Sequence, residues 1–143
     1  MAKNNYPKAR CVKMKKYGRK TRDIVFFSAK NQTTLCVHTP QARRYAKLLE
    51  EDTRIRSYEV NHPLDAAWIA RIDRVGIRGA YLQTQWTTDF VITDQDVGET
   101  IREIVTADLL GKHAEIEKLE LSRRCWKARG VEDWRLVLTG EAE

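Results

Sequence analysis

The sequence predicts one small α/β domain spanning residues 23–143, preceded by a basic arm of residues 1–22. Three observations predict it. Short β-rich runs are interleaved with two stretches of helical periodicity, the pattern of strands and helices that share one core. At 143 residues the chain has the length of one ordinary domain, enough to sustain a core without disulfides or a structural metal. With 42% apolar and 32% charged residues and few Gly and Pro, the composition is that of a soluble globular protein and not of a disordered or fibrous one. No apolar run is long enough to span a membrane, and no h-region follows the basic amino terminus. The expected compartment is the cytoplasm, with no membrane partner.

The elements follow in order. Ile24–Ser28 and Thr34–Val37 are β-rich runs around Lys30-Asn31-Gln32, a hairpin. Thr39 as N-cap and Pro40 as first helical residue open a helix with an apolar stripe of Ala42, Tyr45, Ala46 and Leu49, closed by Glu50, Glu51 and Asp52. Residues Ile55 to Leu64 read as extended. Ala67 to Ile72 and Ala80 to Gln85 read as short strands around Gly76 and Gly79. Strands at Phe90–Thr93 and Thr100–Thr106 are joined by Asp94-Gln95-Asp96-Val97-Gly98, and a helix from about Lys112 to Arg129 precedes a strand at Trp134–Leu138. At about 100° per residue, Leu110, Ala114, Leu121, Cys125 and Ala128 share one side of that helix, while Ile116, Leu119 and Trp126 lie nearly opposite. Either it is sandwiched within the domain, or it offers Trp126 and Leu119 to a partner.

Charge and thiols narrow the class. Residues 1–22 hold nine Lys and Arg and no acid, against a whole-chain net of +6, so the remaining residues sum to −3. The basicity therefore belongs to the arm. With Tyr6 and Tyr17 interleaved, it suits phosphate backbones, through counterion release and stacking on bases; a solvated tail is the other reading. Nucleic acid is the favoured partner, with Lys13, Lys15, Lys16, Arg19, Lys20, Arg43 and Arg44 as candidate contacts. Cys11, Cys36 and Cys125 are odd in number, scattered, and without zinc-site spacing, so reduced thiols are expected, and the scattered His38, His62 and His113 form no metal motif.

The chemistry-bearing pair is Asp89, in Thr87-Thr88-Asp89-Phe90-Val91-Ile92, and Glu103, in Ile101-Arg102-Glu103-Ile104-Val105. Metal-assisted phosphodiester hydrolysis needs carboxylates that converge on Mg²⁺, and neighbouring strands supply that convergence. Period two places Glu103 on one face with Ile101 and Val105, where an unpaired carboxylate is costly unless it meets a cation or a donor. An edge-strand Glu paired with a nearby Arg is the equal alternative.

From about residue 24 to 139 the chain resembles the nuclease domain of TnsA, the endonuclease subunit of heteromeric transposases. The resemblance is carried by an ordered series. Thr39 opens the first helix; Leu49-Glu50, Ile55 and Pro63-Leu64 match the segment leaving it. Thr88-Asp89-Phe90 matches the strand with the metal-binding aspartate. Glu117-Lys118-Leu119-Glu120-Leu121, Arg123-Arg124 and Trp126 match the late helix, with the closing strand at Trp134–Leu138. The last is the most specific, since it preserves a long string.

The resemblance implies a restriction-endonuclease-like fold of the PD-(D/E)XK kind, a mixed sheet flanked by helices. It also implies double-stranded DNA as the partner, and Mg²⁺-dependent cleavage of donor DNA beside an integrase-type transposase and an ATPase regulator. Asp89 falls on the metal-binding aspartate and Glu103 on the second ligand. The family's lysine falls on Val105, and its helix glutamate on Ala42, with Gln41 the nearest polar residue. A DNA-binding subunit with weak or lost catalysis is therefore the first expectation. The alternatives are an active nuclease with a relocated lysine, Lys112 or Lys118, and a non-catalytic interaction or regulatory module. Glu50 is the remaining helix acid, but two turns along it is expected to miss the site. Family members usually add a carboxy-terminal winged-helix region that engages the ATPase; this sequence ends at Glu143, which leaves direct ATPase docking open.

Overall fold

The structure, a computed structural model, describes residues 22–140. The arm, apart from Arg22, lies outside the described residues, and with it Cys11 and the candidate DNA contacts Lys13, Lys15, Lys16, Arg19 and Lys20.

The chain opens with a hairpin of β1 (Ile24–Ser28) and β2 (Thr33–Val37). Its turn is held by the Ser28 hydroxyl, which accepts from the Asn31 backbone and side-chain amides at 3.1 and 2.8 Å. Helix α1 (Pro40–Glu51) begins where the sequence places it: Thr39 Oγ1 accepts from the Ala42 N–H at 3.1 Å, removing one unsatisfied donor. At its far end Lys30 Nζ donates to the carbonyls of Asp52 and Ile55, a cation at the negative end of the helix dipole.

The main sheet has the order β3 (Ile55–Pro63), β4 (Thr87–Asp94), β5 (Gly98–Thr106), β6 (Trp134–Thr139). The first three run antiparallel and β6 runs parallel to β5. Parallel neighbours need a crossover, and α4 (His113–Ala128), entered through a short 3-10 turn at Leu109–Gly111, provides it. Arg102 ties the joint, donating through both terminal nitrogens to the Asp133 carboxylate at 2.8 and 3.2 Å.

Two short helices, α2 (Ala66–Ile69) and α3 (Gly79–Leu82), stand where the sequence was read as strands. The correction has a local cause. Asp65 Oδ1 accepts from the Ala67 N–H at 2.8 Å and caps α2, and each helix inserts one apolar anchor, Ile69 or Tyr81, into the core. Between them Gly76, with φ +82°, makes a turn that disfavours an L side chain.

Apolar side chains pack on both sheet faces. Phe26, Val37, Ala46 and Leu49 from the hairpin and α1 meet Tyr58, Phe90 and Ile92 on one face. Leu121, Cys125 and Trp126 of α4 meet Val91, Ile101 and the α2–α3 segment on the other. Leu119 packs with Val105 and Leu109. Helix α4 is thus sandwiched: Leu119 and Trp126 are buried, which corrects the alternative that they face a partner. Among the described residues no helix is long and apolar enough to cross a membrane.

Candidate functional site

The β4–β5 hairpin sets the geometry of the acid pair. Its turn is fixed by Asp94 Oδ1, which accepts from the Asp96 N–H at 2.8 Å, and by Gly98 at φ +88°. From there the ladder runs from Asp94↔Gly98 to Phe90↔Arg102 and stops. The next positions in register are Asp89 and Glu103. On the other side, β3 pairs Val60 with Phe90 and His62 with Thr88 but skips Asn61 opposite Asp89, and Asn61 has a left-handed φ of +50°. Asp89 therefore sits at a gap in both ladders. Side chains fill it: the Asp89 N–H donates to Glu103 Oε1 and the Ile104 N–H donates to Asp89 Oδ2, both at 2.8 Å.

Glu103 is 1% exposed and Asp89 half-buried. Helix α4 closes over Glu103 with two residues one turn apart, Lys118 and Ser122, which share a helix face. The Ser122 hydroxyl donates to Glu103 Oε2. Lys118 is itself buried, with Nζ 5.8 Å from the centre of the Trp86 ring. Burial and then the neighbouring Asp89 charge push the Glu103 carboxyl up to about 7; the Lys118 charge and the donors from Ser122 and Asp89 pull it back only in part. Two adjacent acids, one buried and resisting ionisation, make an arrangement that a cation would relieve. Both offer hard oxygen donors, as Mg²⁺ requires, and Mg²⁺ takes its remaining ligands from water and phosphates.

The other candidate residues distribute as follows. Lys112 is exposed at the start of α4. Glu50 is held elsewhere: its carboxylate accepts from the Ser28 hydroxyl at 2.7 Å, the Lys30 N–H at 3.0 Å and the Tyr58 hydroxyl. Burial pushes Glu50 up, but those hydrogen bonds and the Lys30 charge outweigh it and hold the group below its ordinary value. Ala42 and Gln41 are both buried in α1. Arg43 lays its guanidinium over the Phe26 ring at 4.0 Å, while Arg44 is exposed. Arg102, the nearest arginine in sequence to Glu103, is engaged with Asp133 instead, and β5 is an inner strand.

Behind Glu103 lies a polar network that the sequence reading missed. Trp134 Nε1 donates to Ser122 Oγ at 3.1 Å, Trp126 Nε1 donates to Thr88 Oγ1 at 2.7 Å, and the two hydroxyls lie 3.5 Å apart. Its one signature in the sequence is the one-turn spacing of Lys118 and Ser122, which puts both on the same face of α4.

Among the described residues one group of three metal-ligating side chains occurs, Asp23, Cys36 and His38, with donor atoms within 4.8 Å of one another. His38 Nδ1 lies 3.2 Å from Asp23 Oδ1, and among the described residues its buried Nε2 has no hydrogen-bond partner. Cys36, however, is disulfide-bonded, which corrects the expectation of a reduced thiol and removes its sulfur as a ligand. Cys125 is a free buried thiol. No family model matches the chain, and no curated protein matches it.

Proposed function

We propose that this chain is a DNA endonuclease subunit of the TnsA kind, with Lys118 standing in for the lysine absent at Val105. The observation that carries the proposal is the buried Lys118 charge acting on Glu103 from α4, beside the hydrogen-bonded Asp89–Glu103 pair. A restriction-endonuclease-like arrangement is supported by the mixed sheet with helices on both faces and by the acids on adjacent strands. Asp89 and Glu103 would hold Mg²⁺, which supplies charge withdrawal from the scissile phosphate and acidification of the attacking water. Lys118 orients the nucleophile, the arm and Arg44 hold phosphates, and an integrase-type transposase and an ATPase regulator act alongside.

Nicking of plasmid and of transposon-end duplex DNA, with Mg²⁺ or Mn²⁺ and with EDTA, tests this. Divalent-dependent nicking that disappears in Asp89→Ala and falls about 10²- to 10⁴-fold in Lys118→Met is the expected result. DNA binding without nicking would leave a silenced fold, for which the full burial of Glu103 is the favouring observation. Absence of salt-dependent DNA binding would leave an interaction module.

A further inference from the structure

We propose that Ser122 is a positioning residue for the acid pair, and that Trp134 acts on Glu103 through it. The inference rests on Asp89 and Glu103 as the cation site and adds the residues that aim the second acid.

The hydrogen-bond directions follow from the donors. An indole N–H can only donate, so the 3.1 Å contact makes Ser122 Oγ an acceptor toward Trp134. The single Ser122 proton is then directed to Glu103 Oε2. Thr88 repeats the pattern: it accepts from Trp126 Nε1, and its own proton faces Ser122 across 3.5 Å. At the other oxygen, the Asp89 backbone N–H is also a donor only and holds Oε1 at 2.8 Å. The Glu103 carboxylate is thus pinned at both ends and cannot rotate about its last bond without losing a hydrogen bond. Thr88, Glu103 and Ser122 are each 2% exposed or less, so water has no ready access to replace Ser122. Such outer partners fix the orientation of metal-binding groups, and removing one typically costs about 10- to 100-fold in metal affinity.

The test is Mn²⁺ binding to the full chain without DNA, read by the electron paramagnetic resonance of free Mn²⁺. Wild type, Asp89→Ala, Ser122→Ala, Trp134→Phe and the Ser122→Ala/Trp134→Phe double variant are compared, each checked for cooperative thermal unfolding. Ser122→Ala is expected to weaken Mn²⁺ binding about 10- to 100-fold. Trp134→Phe is expected to weaken it less, and the double variant no further than Ser122→Ala, because without the hydroxyl the indole has no route to Glu103. Wild-type affinity in Ser122→Ala, or additive losses in the double variant, would overturn the positioning role. Absence of Asp89-dependent binding in the wild type would overturn the cation site and the inference together. Trp134, on the outer strand, keeps the test informative should Ser122→Ala not fold.

Discussion

Replacing Glu103 with glutamine should change how stability depends on pH, with a sign and size fixed by the site. The Glu103 carboxyl is pushed from an ordinary 4.5 up to about 7 in the folded chain, first by burial and then by Asp89. The folded state therefore holds this proton more tightly than the unfolded state. Its contribution is fully kept below pH 4.5, declines as pH rises toward 7, and stays lost above. At 1.36 kcal/mol per pH unit of displacement, this amounts to about 3 kcal/mol. The glutamine side chain carries no charge and keeps an oxygen for the Asp89 N–H, at the cost of about 1 kcal/mol because its amide nitrogen cannot accept from the Ser122 hydroxyl. Urea denaturation followed by tryptophan fluorescence, in EDTA at pH 4 and pH 8, should show the two stabilities crossing. The variant is less stable at pH 4 by about 1 kcal/mol and more stable at pH 8 by about 2 kcal/mol. His38, His62 and His113 are common to both chains and cancel in the comparison. Stabilities that fall in parallel between the two pH values would refute the assignment of a strained, ionisable Glu103.

Three further outcomes are expected. Lys118→Met removes the cation that favours ionised Glu103, so its urea midpoint should fall more steeply from pH 5 to pH 8 than that of the wild type. Glu50→Gln disrupts the acceptor shared by Ser28, Lys30 and Tyr58 and should cost about 1–3 kcal/mol at pH 7 in the same assay, with m unchanged. Cys125, whose thiol burial raises to about 11, should not react with a disulfide reagent at pH 8 until the chain is unfolded by urea.

Much of this fold was legible because local chemistry and tertiary packing agree. Thr39 and Pro40 mark a helix start on capping grounds alone, and the stripe Ala42, Tyr45, Ala46, Leu49 lies in the core as its spacing requires. Glu103 between Ile101 and Val105 read as an acid on a buried face, and all three are buried. Residues 67–72 and 80–85 misled because short apolar runs do not distinguish a strand from one helical turn. There the Asp65 cap and the single anchors Ile69 and Tyr81 decided the matter. The hydrogen-bond chain behind Glu103, from Trp134 through Ser122, was harder to see. Ser122 and Trp134 are ordinary residues 19 and 31 positions away from it, and only the crossover that lays α4 over β5 brings them close. The sequence offers Lys112 and Lys118 alike as lysines near the acids; that Lys118 is buried and Lys112 exposed depends on the face α4 turns inward.

That crossover gives the assembly of the site a definite order of costs. The hairpin of β4 and β5 joins residues only 14 positions apart, and in water the repulsion between two carboxylates is small because the solvent screens it. The packing of α4 excludes that solvent and turns a weak repulsion into a large one. The same helix carries Lys118 and Ser122, so the element that imposes the electrostatic penalty also delivers its compensation in the same step. A chain in which α4 is detached has neither, and its two acids behave as ordinary surface carboxylates.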